Sequence, residues 1–138
     1  MLKNKNKLIL FDFLKYYEDV KNEVNRFNFK DYQLQKFLQE NKIFVGSFSK
    51  RSEKEFKKSK FNRFIRIYRC PTNANAAHAI LRHVRNAVAH GRIQYARTNI
   101  LKLEDYNSKN KIITMKATIS QDILISLIEE IKKTYVEV

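Results

Sequence analysis

The chain has 138 residues, with 28 Lys+Arg against 14 Asp+Glu for a formal net charge of +14, and is 43% hydrophobic and 12% aromatic. That length suits a single domain spanning residues 1–138, and the apolar share suffices for a core, which excludes disorder by composition. Two Gly and one Pro exclude an all-β sandwich, a collagen or a Pro-rich linker, and the single Cys70 excludes an internal disulfide framework.

Lys3, Lys5 and Lys7 precede an apolar run, but Leu8-Ile9-Leu10-Phe11 ends at Asp12, too short for a signal sequence or a membrane span. The expectation is a soluble, cytoplasmic protein with no membrane partner. The charge is uneven. Residues 50–69 hold nine basic residues (Lys50, Arg51, Lys54, Lys57, Lys58, Lys60, Arg63, Arg66 and Arg69) against Glu53 and Glu55, half of the net excess. Clustering of this kind is the footprint of phosphate contacts, although 19 Lys against 9 Arg and 13 Asn are also what AT-rich coding produces.

In chain order, Leu10, Phe13, Leu14, Tyr17, Val20 and Val24 recur at three- and four-residue steps, predicting a helix over 8–27. A second helix is expected over 32–44, with Leu34, Phe37 and Leu38 on one side and Gly46-Ser47 closing it. The basic stretch is read as a third helix over 53–68, with Phe56, Phe61, Phe64, Ile65, Ile67 and Tyr68 on one half of the wheel and Lys58, Arg63, Arg66 and Arg69 on the other. Thr72 or Asn73 then caps a helix running to His90, and Gly91 stands where a C′ glycine belongs. Beyond it the period changes to two. Leu101 and Leu103 share one strand face and Ile113, Met115, Ala117 and Ile119 another, with turn residues 106–110 between them, predicting a β-hairpin. Ser120 and Asp122 open a last helix with Ile123, Leu124, Leu127, Ile128, Ile131 and Tyr135 as its buried stripe. The expected fold is mainly α: an antiparallel helical bundle with one β-hairpin inserted before the C-terminal helix.

The chemistry concentrates in residues 80–92. Ala77, Ile80, Leu81, Val84 and Val88 face a core, while Arg82, His83, Arg85, Asn86 and His90 occupy the opposite arc. Asn86 and His90 are one turn apart on the same face. A guanidinium offers phosphate a fixed, permanently charged fork, a carboxamide orients by hydrogen bonds, and imidazole exchanges protons near neutral pH. A helix C-terminus favours a cation, which suits His90 as a general acid. Such a set can promote attack of an RNA 2′-hydroxyl on the adjacent phosphorus, with Arg85 stabilising charge on the phosphoryl oxygens. The arc is read as lacking acidic partners, with Glu104 and Asp105 solvated. Ala76, Ala79, Ala87 and Ala89 lie near it and are small enough for a second copy of the helix to approach. His83 lines the site or that seam. Arg82, His83, Arg92, Lys57, Lys58, Arg63 and Arg66 are candidate RNA-binding residues. Cys70 and His78 have no ligand partners at recognisable spacing, so no metal or other cofactor is expected.

Arg85-Asn86-Ala87-Val88-Ala89-His90 resembles the R-x4-6-H signature of the HEPN superfamily, in its form with Asn directly after Arg. The wider run from Leu81 through Gly91, with Asp105-Tyr106-Asn107 and Lys116-Ala117-Thr118-Ile119, is similar to small plasmid- and defence-associated HEPN proteins, most closely over residues 78–135. The resemblance implies a helical bundle that homodimerises with both motifs facing across a twofold axis. It also implies a metal-independent endoribonuclease of toxin or defence-effector type, acting on single-stranded or tRNA-like RNA and leaving a 2′,3′-cyclic phosphate. By the same resemblance Arg85 and His90 would be catalytic and Asn86 would orient the site. Some relatives are partnered by a nucleotidyltransferase-type antitoxin, and others only bind nucleotide or RNA. The alternatives are therefore an inactive RNA- or nucleotide-binding module and a protein whose basic face docks an antitoxin.

Overall fold

The computed structural model describes residues 2–47, 63–68, 70, 75–97 and 99–137. Helix α1 (Asn4–Val20) is followed by a 3-10 turn at Val24–Arg26, and α2 (Tyr32–Glu40) leads into strand β1 (Ile43–Ser47). Strand β2 (Arg63–Ile67) precedes α3 (Asn75–Ala89). Strands β3 (Ile93–Arg97), β4 (Ile100–Tyr106) and β5 (Ile113–Ser120) follow, and α4 (Gln121–Lys133) completes the fold. The strands form one mixed sheet in the order β1-β2-β5-β4-β3, with β1 and β2 parallel and all other neighbours antiparallel.

The fold is therefore α+β, and a mainly helical bundle with one hairpin is ruled out. The expected hairpin exists as β4–β5, and β3, β2 and β1 extend it on both sides. Residues 63–67 are strand because Ile65 and Ile67 alternate onto the buried face while Phe64 and Arg66 take the other. In so short an apolar run periods of two and 3.6 both fit, and pairing with β1 and β5 decides. The rest of the helix expected over 53–68 lies outside the described residues, as do Thr72 and Asn73, the expected caps of the helix running to His90.

The second expected helix ends early for a local reason. Asn41 donates from Nδ2 to the Phe37 carbonyl at 2.9 Å, Lys42 takes a left-handed φ of 52°, and the β-favouring Ile43-Phe44-Val45 continues as strand. The helix expected over 8–27 runs Asn4–Val20 instead, whereas the expected Ser120 cap is present, accepting from the Ile123 amide; Asp31 caps α2 by accepting from the Leu34 amide.

One apolar cluster joins all four helices to a single face of the sheet. Leu10, Phe13, Leu34, Leu38, Ile80, Leu81, Val84, Leu124, Leu127 and Ile131 meet Ile65, Leu101, Leu103, Met115 and Ile119. Truncating any of the larger of these to Ala is worth about 2–5 kcal/mol. Ala76, Ala79 and Ala87 are buried in this same core, so they are not available as a seam for a second copy; Ala89 alone of the four is exposed. Their small side chains instead let α3 lie close against its own protomer. The start of α1 is tied to α4 by a buried hydrogen bond, Asn6 Nδ2 donating to Gln121 Oε1 at 2.8 Å, and by the exposed Lys3–Asp122 pair.

Candidate active site on helix α3

Helix α3 ends in a Schellman turn. The Arg92 amide donates to the Ala87 carbonyl at 2.8 Å and the Gly91 amide to the Val88 carbonyl at 3.2 Å, with Gly91 at φ +66°. His90 is the C-cap residue, exposed at the helix end, and the chain reverses so that Arg92 returns toward β4.

Arg92 meets Asp105 there, the residue around which the site is arranged. Asp105 is 5% exposed and follows Leu101 and Leu103 on the buried face of β4. Its Oδ2 accepts from His83 Nδ1 at 2.8 Å and from Asn86 Nδ2 at 3.0 Å, while its Oδ1 faces Arg92 Nη1 at 3.5 Å. Burial pushes the carboxyl's pKa up, but the hydrogen bonds it accepts, from His83 and Asn86 first and then from the Tyr106 backbone, outweigh it and hold Asp105 below its usual range. Arg82 Nη2 donates to His83 Nε2 at 3.3 Å, so the proton of this buried imidazole sits on Nδ1, toward Asp105.

This buried anchor acts on the exposed groups through Asn86. With Nδ2 committed to Asp105, the amide turns Oδ1 toward Arg85, whose Nη1 donates to it at 3.1 Å. Arg85 Nη2 also donates to Glu18 Oε1 on α1 at 3.0 Å, and its guanidinium lies 5.9 Å from the Tyr17 ring. Both members of the Arg85–Glu18 pair are substantially exposed, with side chains 31% and 47% accessible, so the pair is weak and an incoming oxyanion can displace the carboxylate.

A family model described as HEPN pEK499 p136 matches residues 8–138. The chain belongs to the HEPN family. No curated protein and no solved structure matches it.

Within this HEPN protein the structure brings Arg82, His83, Arg85, Asn86 and Arg92 into one hydrogen-bonded network around Asp105, with His90 one turn beyond Asn86. His83 is buried, not part of an open arc, so it supports Asp105 and does not present itself to a ligand. Arg63 and Arg66 lie on β2, separated from β4 by β5, and Arg63 Nη1 donates to the Asn41 carbonyl at 2.6 Å. Lys57 and Lys58 lie outside the described residues. Two acidic partners, Glu18 and Asp105, correct the expectation of a site without carboxylates. Asp105 was legible as the third member of the alternation Leu101, Leu103, Asp105; nothing in the sequence places Glu18 beside Arg85. Cys70 is half-buried, which pushes its thiol up to about 11, far from a reactive thiolate. Among the described residues no group of three or more His, Cys, Asp or Glu is placed to hold a metal ion, and no helix is long and apolar enough to cross a membrane.

Proposed function

We propose that this HEPN protein is an endoribonuclease whose reaction uses Arg85 and His90, with Asn86 as a positioning residue, and needs no metal. The observation that carries the reading is the fixed relay from buried Asp105 through Asn86 to Arg85, one helical turn from an exposed imidazole. A phosphate displaces Glu18 from Arg85 and takes the guanidinium fork by two of its oxygens. The RNA 2′-oxygen then attacks phosphorus, the P–O5′ bond breaks, and a 2′,3′-cyclic phosphate and a 5′-hydroxyl result. The imidazolium of His90 gives its proton to the departing 5′-oxygen, and a neutral His90 from a second copy takes the 2′-hydroxyl proton. Arg85 stabilises the charge that builds on the non-bridging oxygens.

The two-copy site makes the exposed end of α3, at Ala89 and His90, the seam of a homodimer. RNA of single-stranded or tRNA-like form is the substrate class, in the setting of a toxin or defence effector, and a protein antitoxin is a compatible partner for so basic a chain.

The deciding experiment incubates purified protein with single-stranded RNA and tRNA in EDTA. Wild-type protein cuts the RNA, and His90→Ala and Arg85→Ala each lower the rate by about 10²–10⁴. Undiminished cleavage by folded His90→Ala protein overturns this assignment.

A further inference from the structure

The sheet has a second face, opposite the helices, that the site on α3 does not use. There the pairing places Gln94 beside Lys102, Lys102 beside Thr118, and Glu104 beside Lys116. Gln94, Lys102 and Lys116 are exposed. Two clefts open side by side on this face. The first, about 260 Å³, is bounded by Gly91, Arg92, Gln94, Lys102, Glu104 and Tyr106. The second, about 220 Å³, shares Lys102 and Glu104 and continues to Lys116 and Thr118.

The first cleft begins at the residue directly after His90. A Cβ built on Gly91 would meet nothing within 4 Å, so a ligand can approach the backbone there. Arg92 links this cleft to the site: its guanidinium lies 3.5 Å from the centre of the Tyr106 ring on the outer face, while Nη1 reaches Asp105 on the inner one. The stacked pair is a flat, cationic platform of the kind that receives a base. Glu104 repels a phosphate but accepts from the amino or imino groups of a base edge. Lys102 and Lys116, by contrast, set two cations along the second cleft, diagonal to each other across the β4–β5 pairing.

We infer that this groove is the track of single-stranded RNA on one side of the scissile phosphate. The nearest base sits in the first cleft against Arg92 and Tyr106, and the following phosphates pass Lys102 and Lys116. The inference rests on the RNA-cleaving reading of Arg85 and His90 and extends it to the sheet.

Fluorescence anisotropy with a labelled mixed-sequence 12-nucleotide RNA tests it, in a His90→Ala background so that the RNA stays intact. Lys102→Glu/Lys116→Glu is compared with Lys30→Glu/Lys36→Glu, two exposed lysines before and on α2 whose reversal changes net charge equally. The groove pair is expected to weaken binding at least tenfold and to lower the slope of log K against log salt by about 1.4, as two lost phosphate contacts require. The control pair changes affinity no more than about twofold. Tyr106→Ala weakens binding about fivefold or more, and Tyr106→Phe restores it. Equal losses for both lysine pairs, or no loss for the groove pair in protein that melts like wild type, overturn the track and leave cleavage by His90 standing. Cleavage that survives His90→Ala overturns the catalytic reading, while the lysine comparison, repeated with a 2′-O-methyl RNA that cannot be cut, still decides the groove.

Discussion

At the scale of single residues, Gly91 and Asp105 shape the candidate site, one through the backbone turn and the other through its hydrogen bonds. Gly91 holds φ +66°, and a Cβ there would meet open space, so the cost of a side chain is conformational and not steric. Gly91→Ala is expected to cost about 1 kcal/mol, read as a fall in Tm of about 3–6 °C. Because the same turn sets the direction of His90, the RNA-cleaving rate should fall further than stability alone explains. An unchanged Tm would mean the turn tolerates Ala.

Asp105→Asn keeps one acceptor but loses the charge that His83, Asn86 and Arg92 share, an expected cost of about 1–3 kcal/mol at neutral pH. The pH dependence has a definite sign. Asp105's pKa is lower in the folded protein than its ordinary 3.8, so the unfolded chain binds the proton more readily. Its contribution is fully present above that value and disappears as pH falls through the lower folded value. Denaturant titrations at pH 7 and near pH 3 should therefore show the gap between wild type and Asp105→Asn closing in acid. A gap that stays constant would remove Asp105's charge from the account.

At the scale of elements, α3 carries the groups of the candidate site and two buried imidazoles, His78 and, beside Asp105, His83. His78, 3% exposed, donates from Nε2 to the Val20 carbonyl at 3.3 Å and packs between the Tyr17 and Phe27 rings, each 5.8 Å away. Burial pushes its pKa below 6.5, and Arg82 adds to that, against smaller opposing hydrogen bonds to backbone carbonyls. The neutral form is the folded form, so stability declines as pH falls below 6.5, where the unfolded chain takes up the proton first. His78→Phe should flatten stability between about pH 6.5 and 5; the same slope in both proteins would rule His78 out as its source. The end of α3 carries the dimer reading. Ala89→Arg is expected to give monomers by mass in solution and to lose cleavage with them, whereas an unchanged dimer mass places the seam elsewhere.

The amphipathic pattern of α3, its glycine stop and the cap of α4 were legible because each is a local signal a few residues long. The extent of the sheet was not. Residues 43–47 and 63–67 are short runs of β-branched and aromatic residues that fit either period, and only their pairing with each other and with β5 makes them strands.

At the scale of the whole molecule, the net charge of +14 sets long-range attraction for a polyanion, an effect that weakens with salt. It does not locate the ligand. Much of the densest basic run lies outside the described residues, and its described members Arg63 and Arg66 sit on β2, away from β4. The helices cover one face of the sheet, which buries Asp105 against α3 and leaves Lys102 and Lys116 facing outward. Adjacent residues of one strand, Asp105 and Tyr106, thus serve two faces, with Arg92 touching both.

The sequence by itself determined the family, through a motif contained in one helix, and the placing of Arg85, Asn86 and His90 at that helix's exposed end. Asn86 and His90, four residues apart, share a helix face whatever surrounds them, and Arg85 adjoins Asn86 in the chain. Tertiary structure alone decided that a carboxylate from a strand beyond the next turn would anchor Asn86, and that a glutamate from the first helix would hold Arg85. Those partners lie 19 and 67 residues away in sequence. No periodicity reaches across such distances; only packing the helices on one sheet face brings the groups within hydrogen-bonding range.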